Sequence, residues 1–445
     1  MNHAVGLGYV TSGRTAFPDA QSPSADDQFV SALTSGGDSR LAVDPQAGVN
    51  KYGCPPIPAP MLTCVSSCTA TPVAARGFAK AAKFYASLVS AASPSKRALQ
   101  IEQRRADLAA ELLRYFGVAG IADAILCPSG TDALANAAAM LARERPGEPM
   151  TAILPEASET GAGVPLAVAG RWFDGTDAFG VPPAFTADTV EIALRAADGS
   201  PRSDDELVDA FAAAAASARG RPVVYLTHSS KTGLIAPLVP PAGAGVIVDA
   251  SQSRIEPFKV AAFIRQGWPV VVTGSKFFGG PAFAGAILFP TGRLPRPAGI
   301  HADIGTVLRW IAAMDVIEEF AASAEGVPAL LTERAAAIGR GIDNNPALVA
   351  IAGLQKRPGG WSDLPSIFTF AVRDPADRRQ LLSAASLRPL YERLVRRGIL
   401  LGQPVSVGRL GGLRIAIGAR DLLARAPSDA GLPKLFAALD DITKP

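Results

Sequence analysis

The sequence predicts an α/β protein with a large domain on a mostly parallel sheet and a smaller α+β domain behind it. Three observations carry this. Short apolar runs bounded by turn residues recur at Ala124–Cys127, Thr151–Leu154, Val223–Thr227, Val246–Asp249, Val270–Thr273 and Ala284–Phe289. Helical segments separate several of them, and continuous apolar strands alternating with helices mark a sheet covered on both faces. From about residue 310 the pattern changes to long helices, followed by strands near Ser366–Val372 and Leu413–Ile417.

Taken in order, residues 1 to about 60 are rich in Gly, Ser, Asp and Pro and keep no period. Ser35-Gly36-Gly37-Asp38 and Cys54-Pro55-Pro56-Ile57-Pro58 read as an irregular arm. Tyr52, Met61 and Leu62 indicate that its later part packs on something. Ser93-Pro94 is an N-cap followed by proline at the first helical position. Leu108, Leu112 and Phe116 then recur on one face, and Gly117 closes the helix. Further helices are expected at Leu134–Arg143 and at Leu207–Ala218, the latter opened by Ser203-Asp204-Asp205-Glu206 as a capping box. Val307–Ala324 and Pro328–Arg340 are the long helices of the last part. The organisation expected is an N-terminal arm over 1–66, a large domain over 67–315 and a small domain over 316–445.

The chain has 445 residues, 48% of them hydrophobic, enough to fill a large core. Its 43 Lys+Arg against 40 Asp+Glu leave a net charge of only +3. That gives no broad footprint for nucleic acid or for a membrane surface. No apolar stretch approaches the roughly 20 residues that span a bilayer. Met1 is not followed by a secretory pattern, so a cytoplasmic protein is expected. The four cysteines, Cys54, Cys64, Cys68 and Cys127, fit a reducing compartment. Cys64 and Cys68 have half the spacing of a metal site, but no second pair completes it; buried thiols are the plainer reading and no metal is expected.

Ligands of such sheets bind at the carboxyl ends of the strands, and three strand ends there are chemically loaded. In Cys127-Pro128-Ser129-Gly130-Thr131-Asp132 a strand turns into a helix whose free N–H groups favour an anion; alone, this is also an ordinary turn and cap. Val246-Ile247-Val248-Asp249 delivers a carboxylate, with Gln252 three residues on; alone, Asp249 reads equally as a helix cap. In Val272-Thr273-Gly274-Ser275-Lys276 a lysine follows a buried strand and precedes Phe277-Phe278-Gly279-Gly280. A desolvated amine forms Schiff bases, although a surface lysine on a glycine loop has the same look. Together, a lysine, an aspartate and a glycine-threonine helix start are the parts that pyridoxal phosphate requires.

At this point the sequence resembles the fold type I pyridoxal-phosphate enzymes, and more narrowly the class V aminotransferase group with cysteine desulfurases, isopenicillin N epimerase and kynureninase. The resemblance runs from about Ser67 to Arg414. Ser67-Cys68-Thr69-Ala70-Thr71-Pro72 is similar to that group's entry motif, which places Thr69 beside the substrate. Ser129-Gly130-Thr131-Asp132 matches the phosphate loop, and Ser229-Ser230-Lys231-Thr232-Gly233 its Ser-Asn-x-x-Gly segment, with Ser230 beneath the cofactor. Asp249-Ala250-Ser251-Gln252 matches Asp-x-x-Gln, which implies Asp249 on the ring nitrogen and Gln252 near the phenolic oxygen. Thr273-Gly274-Ser275-Lys276 matches Ser-x-His-Lys, which implies phosphate at Thr273, a Schiff base at Lys276, and Ser275 in place of histidine. Gly305-Thr306 is similar to the segment by which a partner subunit reaches the phosphate. Arg414 looks like the arginine for the substrate carboxylate. The resemblance therefore implies a homodimer with active sites at the interface and a small-molecule amino substrate.

Departures matter as well. Where the group often stacks a ring on the cofactor, the count falls near Glu159, which implies either another cover or an acid/base role for Glu159. Of the three histidines, His3, His228 and His301, the last two read first as structural. The leading expectation is aminotransfer, with Lys276 moving the proton. The alternative is a Cβ- or Cγ-lyase or replacement enzyme with Glu159 as additional acid, and the remote one a non-catalytic binding module. Persulfide desulfuration is disfavoured because no cysteine follows residue 127, unless Cys68 substitutes.

Overall fold

The computed structural model describes residues 24–174, 185–292, 303–353, 359–424 and 431–444. The strands among them are β1 (Thr63–Val65), β2 (Ala122–Cys127), β3 (Met150–Pro155), β4 (Ala187–Ile192), β5 (Arg221–His228), β6 (Ile235–Ala236) and β7 (Gly245–Ala250). They continue with β8 (Val270–Thr273), β9 (Gly285–Pro290), β10 (Leu348–Ile351), β11 (Ile367–Val372), β12 (Ile399–Val407) and β13 (Leu410–Ala416).

The larger sheet has eight strands in the order β2-β9-β8-β7-β5-β3-β4, with β6 paired to β5. β3, β4, β5, β7 and β8 run parallel, and β9 opposes both β2 and β8. All the expected strands of the large domain lie here. Side chains alternate between faces, and both faces are buried. Leu126, Val248, Val272 and Leu288 join one core, with Leu108 and Leu112 of the helix Pro94–Tyr115 and with the helices Pro257–Arg265 and Ile304–Ala322. Ile125, Ile247, Val271 and Ile287 join the other, under the helix Gly130–Glu144. Each such side chain contributes roughly 1.5–3 kcal/mol relative to exposure. A one-residue slip would exchange the two sets, so the register is firmly held.

The second sheet has five strands in the order β1-β12-β13-β11-β10. β1 comes from early in the chain and pairs parallel with β12 across a long separation, Thr63 opposite Ile399. The antiparallel β12–β13 ladder shifts register between Gly402 and Val405. Pro404 sits in that irregularity, which is where a sheet tolerates a residue with no N–H to donate.

The helix starts follow local chemistry. Ser93 accepts from Lys96 N ahead of Pro94, and Ser203 and Glu206 form the reciprocal capping box. Before β1, the arm carries a short helix, Ala25–Leu33, opened by a box between Ser24 and Asp27. Phe29 of that helix packs edge-on against Phe78, 5.0 Å between centroids. Arg309, fully buried, fastens the stretch beyond it. Its guanidinium donates to the carbonyls of Leu33 (2.8 Å), Ser35 (2.6 Å), Gly36 (3.3 Å) and Phe283 (2.5 Å). No helix among the described residues is long and apolar enough to cross a membrane.

Candidate active site

The parallel strands end on one edge, and the loops that leave β2, β7 and β8 enclose a cavity of about 300 Å³. The loops arrive there because each strand is too apolar to continue into solvent and breaks at a polar turn. Lys276 follows β8 across Gly274, whose N–H donates to Ala284 O (2.8 Å). Burial holds the Lys276 ammonium below the ordinary lysine range; Arg414 and Arg40 push the same way, and Asp249 opposes them. Asp249, next to last in β7, is itself buried; its Oδ1 accepts from Ser251 N (3.0 Å) and Ser251 Oγ (2.5 Å).

Ser129 caps the helix Gly130–Glu144, accepting from Asp132 N (3.1 Å) and donating to Asp132 Oδ2 (2.7 Å). Burial pushes the Asp132 carboxyl up to about 6. The cap leaves the amides of Gly130 and Thr131 without an acceptor among the described residues, the electropositive end of a helix. A Cβ on Gly130 would lie 3.0 Å from Thr273 Cγ2 and 3.2 Å from Ser251 Oγ, so the three loops converge where glycine keeps space. Thr273 Oγ1 donates to Ser251 O (2.7 Å), and Ser275 lines the cavity.

Thr69 and Arg414 line the cavity too. Arg414 Nη2 donates to Thr69 Oγ1 (3.2 Å) and Gln403 O (2.6 Å), and Nη1 to Lys231 O (3.1 Å). Gly402 permits this packing: a Cβ there would stand 2.5 Å from Cys68 Sγ and 3.0 Å from Arg414 Cβ. Gln252 lies behind the cavity wall; its Nε2 donates to Cys68 O (3.1 Å), and its Oε1 is buried without a partner.

Three further expected residues, Glu159, Ser230 and Thr306, do not line this chain's cavity. Glu159 does not line the cavity: it forms a buried ion pair with Arg195 (Oε1 to Nε, 2.7 Å), the two side chains only 2% and 1% exposed. Its Oε2 accepts from Ser230 Oγ (2.5 Å) and Thr232 Oγ1 (2.6 Å). A carboxylate buried away from the cavity, with both oxygens engaged by a cation and two hydroxyls, pins the loop Ser229–Gly233. Ser230 belongs to that pin and also accepts from Thr232 N and Leu234 N. Thr306, expected to serve a partner subunit's site, donates within its own chain to Asp303 (2.5 Å) and accepts from Arg309 (3.1 Å). His228 is buried at the end of β5 and does not line the cavity; His3 and His301 lie outside the described residues.

The cavity is lined as well by residues that no sequence motif marks, among them Arg40, Lys51 and Tyr52 from the arm, Phe173, and Lys231. Lys231 lies inside the Ser229–Gly233 segment, where neither neighbour in the sequence marks it as special. Its Nζ donates to Ala157 O (2.8 Å), and burial, with Arg414 and Lys276 beside it, brings its ammonium down to about 8. Thr160, Gly161, Ala162 and Gly163 wall the cavity near where a stacking ring was sought. Three non-glycine residues among those described have left-handed backbone, Ser229 (φ 67°), Ser253 (φ 53°) and Phe283 (φ 68°), and all lie in or next to loops of this site. Such strain concentrates where side chains must be aimed.

No family model matches the chain, and none of the curated proteins does. Solved structures do. A NifS-like protein is 15% identical, with 85% of this chain and 100% of that one covered at a TM-score of 0.57. The cystine C–S lyase C-DES, in complex with its reaction product cysteine persulfide, is 15% identical over 85% of this chain and 97% of its own, TM-score 0.58. A C-DES variant was solved with glycine covalently linked to its PLP cofactor, at the same identity and TM-score. The cysteine desulfurase CsdA from Escherichia coli is 14% identical over 86% and 94%, TM-score 0.53. The chain has the fold of the type I pyridoxal-phosphate enzymes. Within that fold its likeness extends to the class V architecture of the NifS-like proteins and C-DES, over most of its length.

Proposed function

We propose that the protein is a pyridoxal-phosphate-dependent enzyme acting on an amino-acid-type substrate, with aminotransfer as its reaction. One observation carries the reading: Lys276, Asp249 and the helix start at Ser129–Thr131 line a single cavity. The donor set fits the cofactor, with an amine whose charge burial disfavours, an oriented carboxylate, unsatisfied helix amides and a cradle that any side chain on Gly130 would fill. When bound, pyridoxal phosphate supplies a carbonyl that condenses with amines and a ring that draws electrons from the amine-bearing carbon.

The chain's own residues do the rest. Lys276, in an environment that favours its uncharged form, is the nucleophile, and once displaced it carries a proton to and from the substrate carbon. Asp249, its Oδ1 tied by Ser251, keeps Oδ2 for the ring nitrogen and holds a proton there. The amides of Gly130 and Thr131 take the phosphate with the hydroxyl of Ser275 beside them, while Ser129 and Thr273 donate to it only by releasing Asp132 and Ser251 O. Arg414 and Thr69 bind the substrate carboxylate. Since Arg414 already gives three hydrogen bonds to protein acceptors, Lys231 adds the second positive charge.

Lys231 also favours a second reading, elimination at Cβ. It is a lining group able to give a proton to a leaving group, the role sought at Glu159. The first test is colour. The protein with pyridoxal phosphate should show a visible absorbance band that Lys276→Ala abolishes; an unchanged spectrum would sink the assignment. The second separates the reactions. With an amino acid and no acceptor, aminotransfer yields about one keto acid per site and no ammonia, whereas elimination yields keto acid and ammonia together over many turnovers.

A further inference from the structure

The arm brings a cation to the part of the cavity where neutral donors otherwise stand alone. Ser129, Gly130 and Thr131 offer hydroxyls and amides, and Ser275 rather than a basic side chain precedes Lys276. Arg40 fills this gap. Its Nη1 donates to Thr131 Oγ1 (3.1 Å), and its guanidinium carbon lies 4.3 Å from the Phe173 ring centroid and 5.2 Å from that of Phe283. Nε and Nη2 are gripped by the Asp38 carboxylate (2.9 and 2.5 Å), which fixes the plane of the fork and leaves the Nη1 edge toward the loop.

The surroundings are built around this placement. A Cβ on Gly163 would stand 3.1 Å from Arg40 Nη1 and 3.2 Å from Thr131 Cγ2, so a side chain there would crowd both. On one side, Ser39 N and Oγ donate to Asp174 (2.7 and 2.9 Å), next to Phe173. On the other, Arg309 holds the carbonyls of Leu33, Ser35 and Gly36. The arm is thus tied on both sides of Arg40, and the side chain lines the cavity at 11% exposure.

Resting on the cofactor reading above, we propose that Arg40 is a phosphate ligand, a guanidinium that the arm clamps onto the Ser129–Thr131 loop. The ligand class is a phosphate monoester dianion, and the contact is one charge-assisted hydrogen bond from Nη1 to a phosphate oxygen. Asp38 and Arg309 are positioning residues for it.

The test is an equilibrium titration, by visible absorbance, of cofactor-stripped wild type, Arg40→Met and Arg40→Lys with pyridoxal phosphate and, separately, with pyridoxal. Losing a hydrogen bond to a charged group corresponds to about a ten- to hundredfold loss of affinity. Arg40→Met should lose that much for pyridoxal phosphate and nothing for pyridoxal, while Arg40→Lys, which keeps the charge without the fork, falls between. If Arg40→Met does not fold, as judged by its unfolding midpoint without ligand, Arg40→Lys against wild type carries the comparison alone. An unchanged preference for the phosphorylated compound, or equal weakening of both compounds, would overturn the role of Arg40. Wild type that binds neither compound would overturn the cofactor reading as well.

Discussion

Replacing Glu159 by glutamine separates two roles that the same residue was open to. If it were an acid/base, the loss would appear in turnover and its pH profile. The structure makes it a pin, so the loss should appear in stability. Three bonds to the carboxylate are at stake, from Arg195 Nε (2.7 Å), Ser230 Oγ (2.5 Å) and Thr232 Oγ1 (2.6 Å). A hydrogen bond to a charged group is worth about 1.5–3 kcal/mol and a neutral one about 0.5–1.5, so each bond loses roughly 1 kcal/mol on neutralisation. The sum, about 3 kcal/mol, falls at the lower end of the ~3–5 kcal/mol found when a buried ion pair loses one partner. The glutamine amide nitrogen would also face hydroxyls that need an acceptor. Urea unfolding of wild type and variant measures the difference. Adding Arg195→Met should recover part of the loss, because it removes the stranded cation. The reasoning is refuted if Glu159→Gln unfolds at the wild-type urea concentration while turnover collapses and its pH profile moves.

Other expectations follow from the same geometry. Lys231 is cationic below about 8 and neutral above it, so affinity for a carboxylate ligand should fall as pH rises through that value; Lys231→Met should flatten the profile, and an unaltered inflection would clear Lys231 of carboxylate binding. Gly402→Ala would press a methyl group on Cys68 Sγ and Arg414 Cβ, so KM for carboxylate substrates should rise about tenfold, the worth of one displaced charge-assisted bond, with the absorbance band retained; an unchanged KM would count against Arg414 as the anchor. Arg309→Met would leave the carbonyls of Leu33, Ser35 and Gly36 without their donor. Limited proteolysis should then cut the arm between residues 34 and 62 at enzyme levels that leave wild type intact, and resistance equal to wild type would show the arm held by other means.

The large sheet was legible because its strands are continuous apolar runs that end in turn residues, and their loaded ends fell together at one edge. Lys276, Asp249 and Thr131 were found for that reason. β12 was hidden by Gly402 and Pro404, which read as punctuation; their meaning lies in a ladder irregularity and a close approach to Cys68, both set by segments outside the strand itself. β1 has three residues and no partner closer than β12, and three residues hold no period to read. Arg40 lies in a segment without periodicity, so nothing local marks it. Glu159 was located by counting from a motif, and counting cannot see that Arg195, 36 positions away, would claim its carboxylate. The composition named the residue types of the site but not which charges would be spent on one another.

The pairing of β1 with β12 also governs when the site can exist. Thr63 waits for Ile399, and Thr69 and Cys68 reach their final neighbours only when Gly402 and Arg414 are in place. During synthesis the chain emerges in order, so the strands with Asp249 and Thr273 can assemble long before the wall that carries Arg414. Contacts spanning more than 300 positions are slow to close. A ribosome that stalls after the eighth strand of the large sheet therefore leaves a body with its lysine and carboxylate bared to water, and the cavity is sealed only once β12 and β13 have followed.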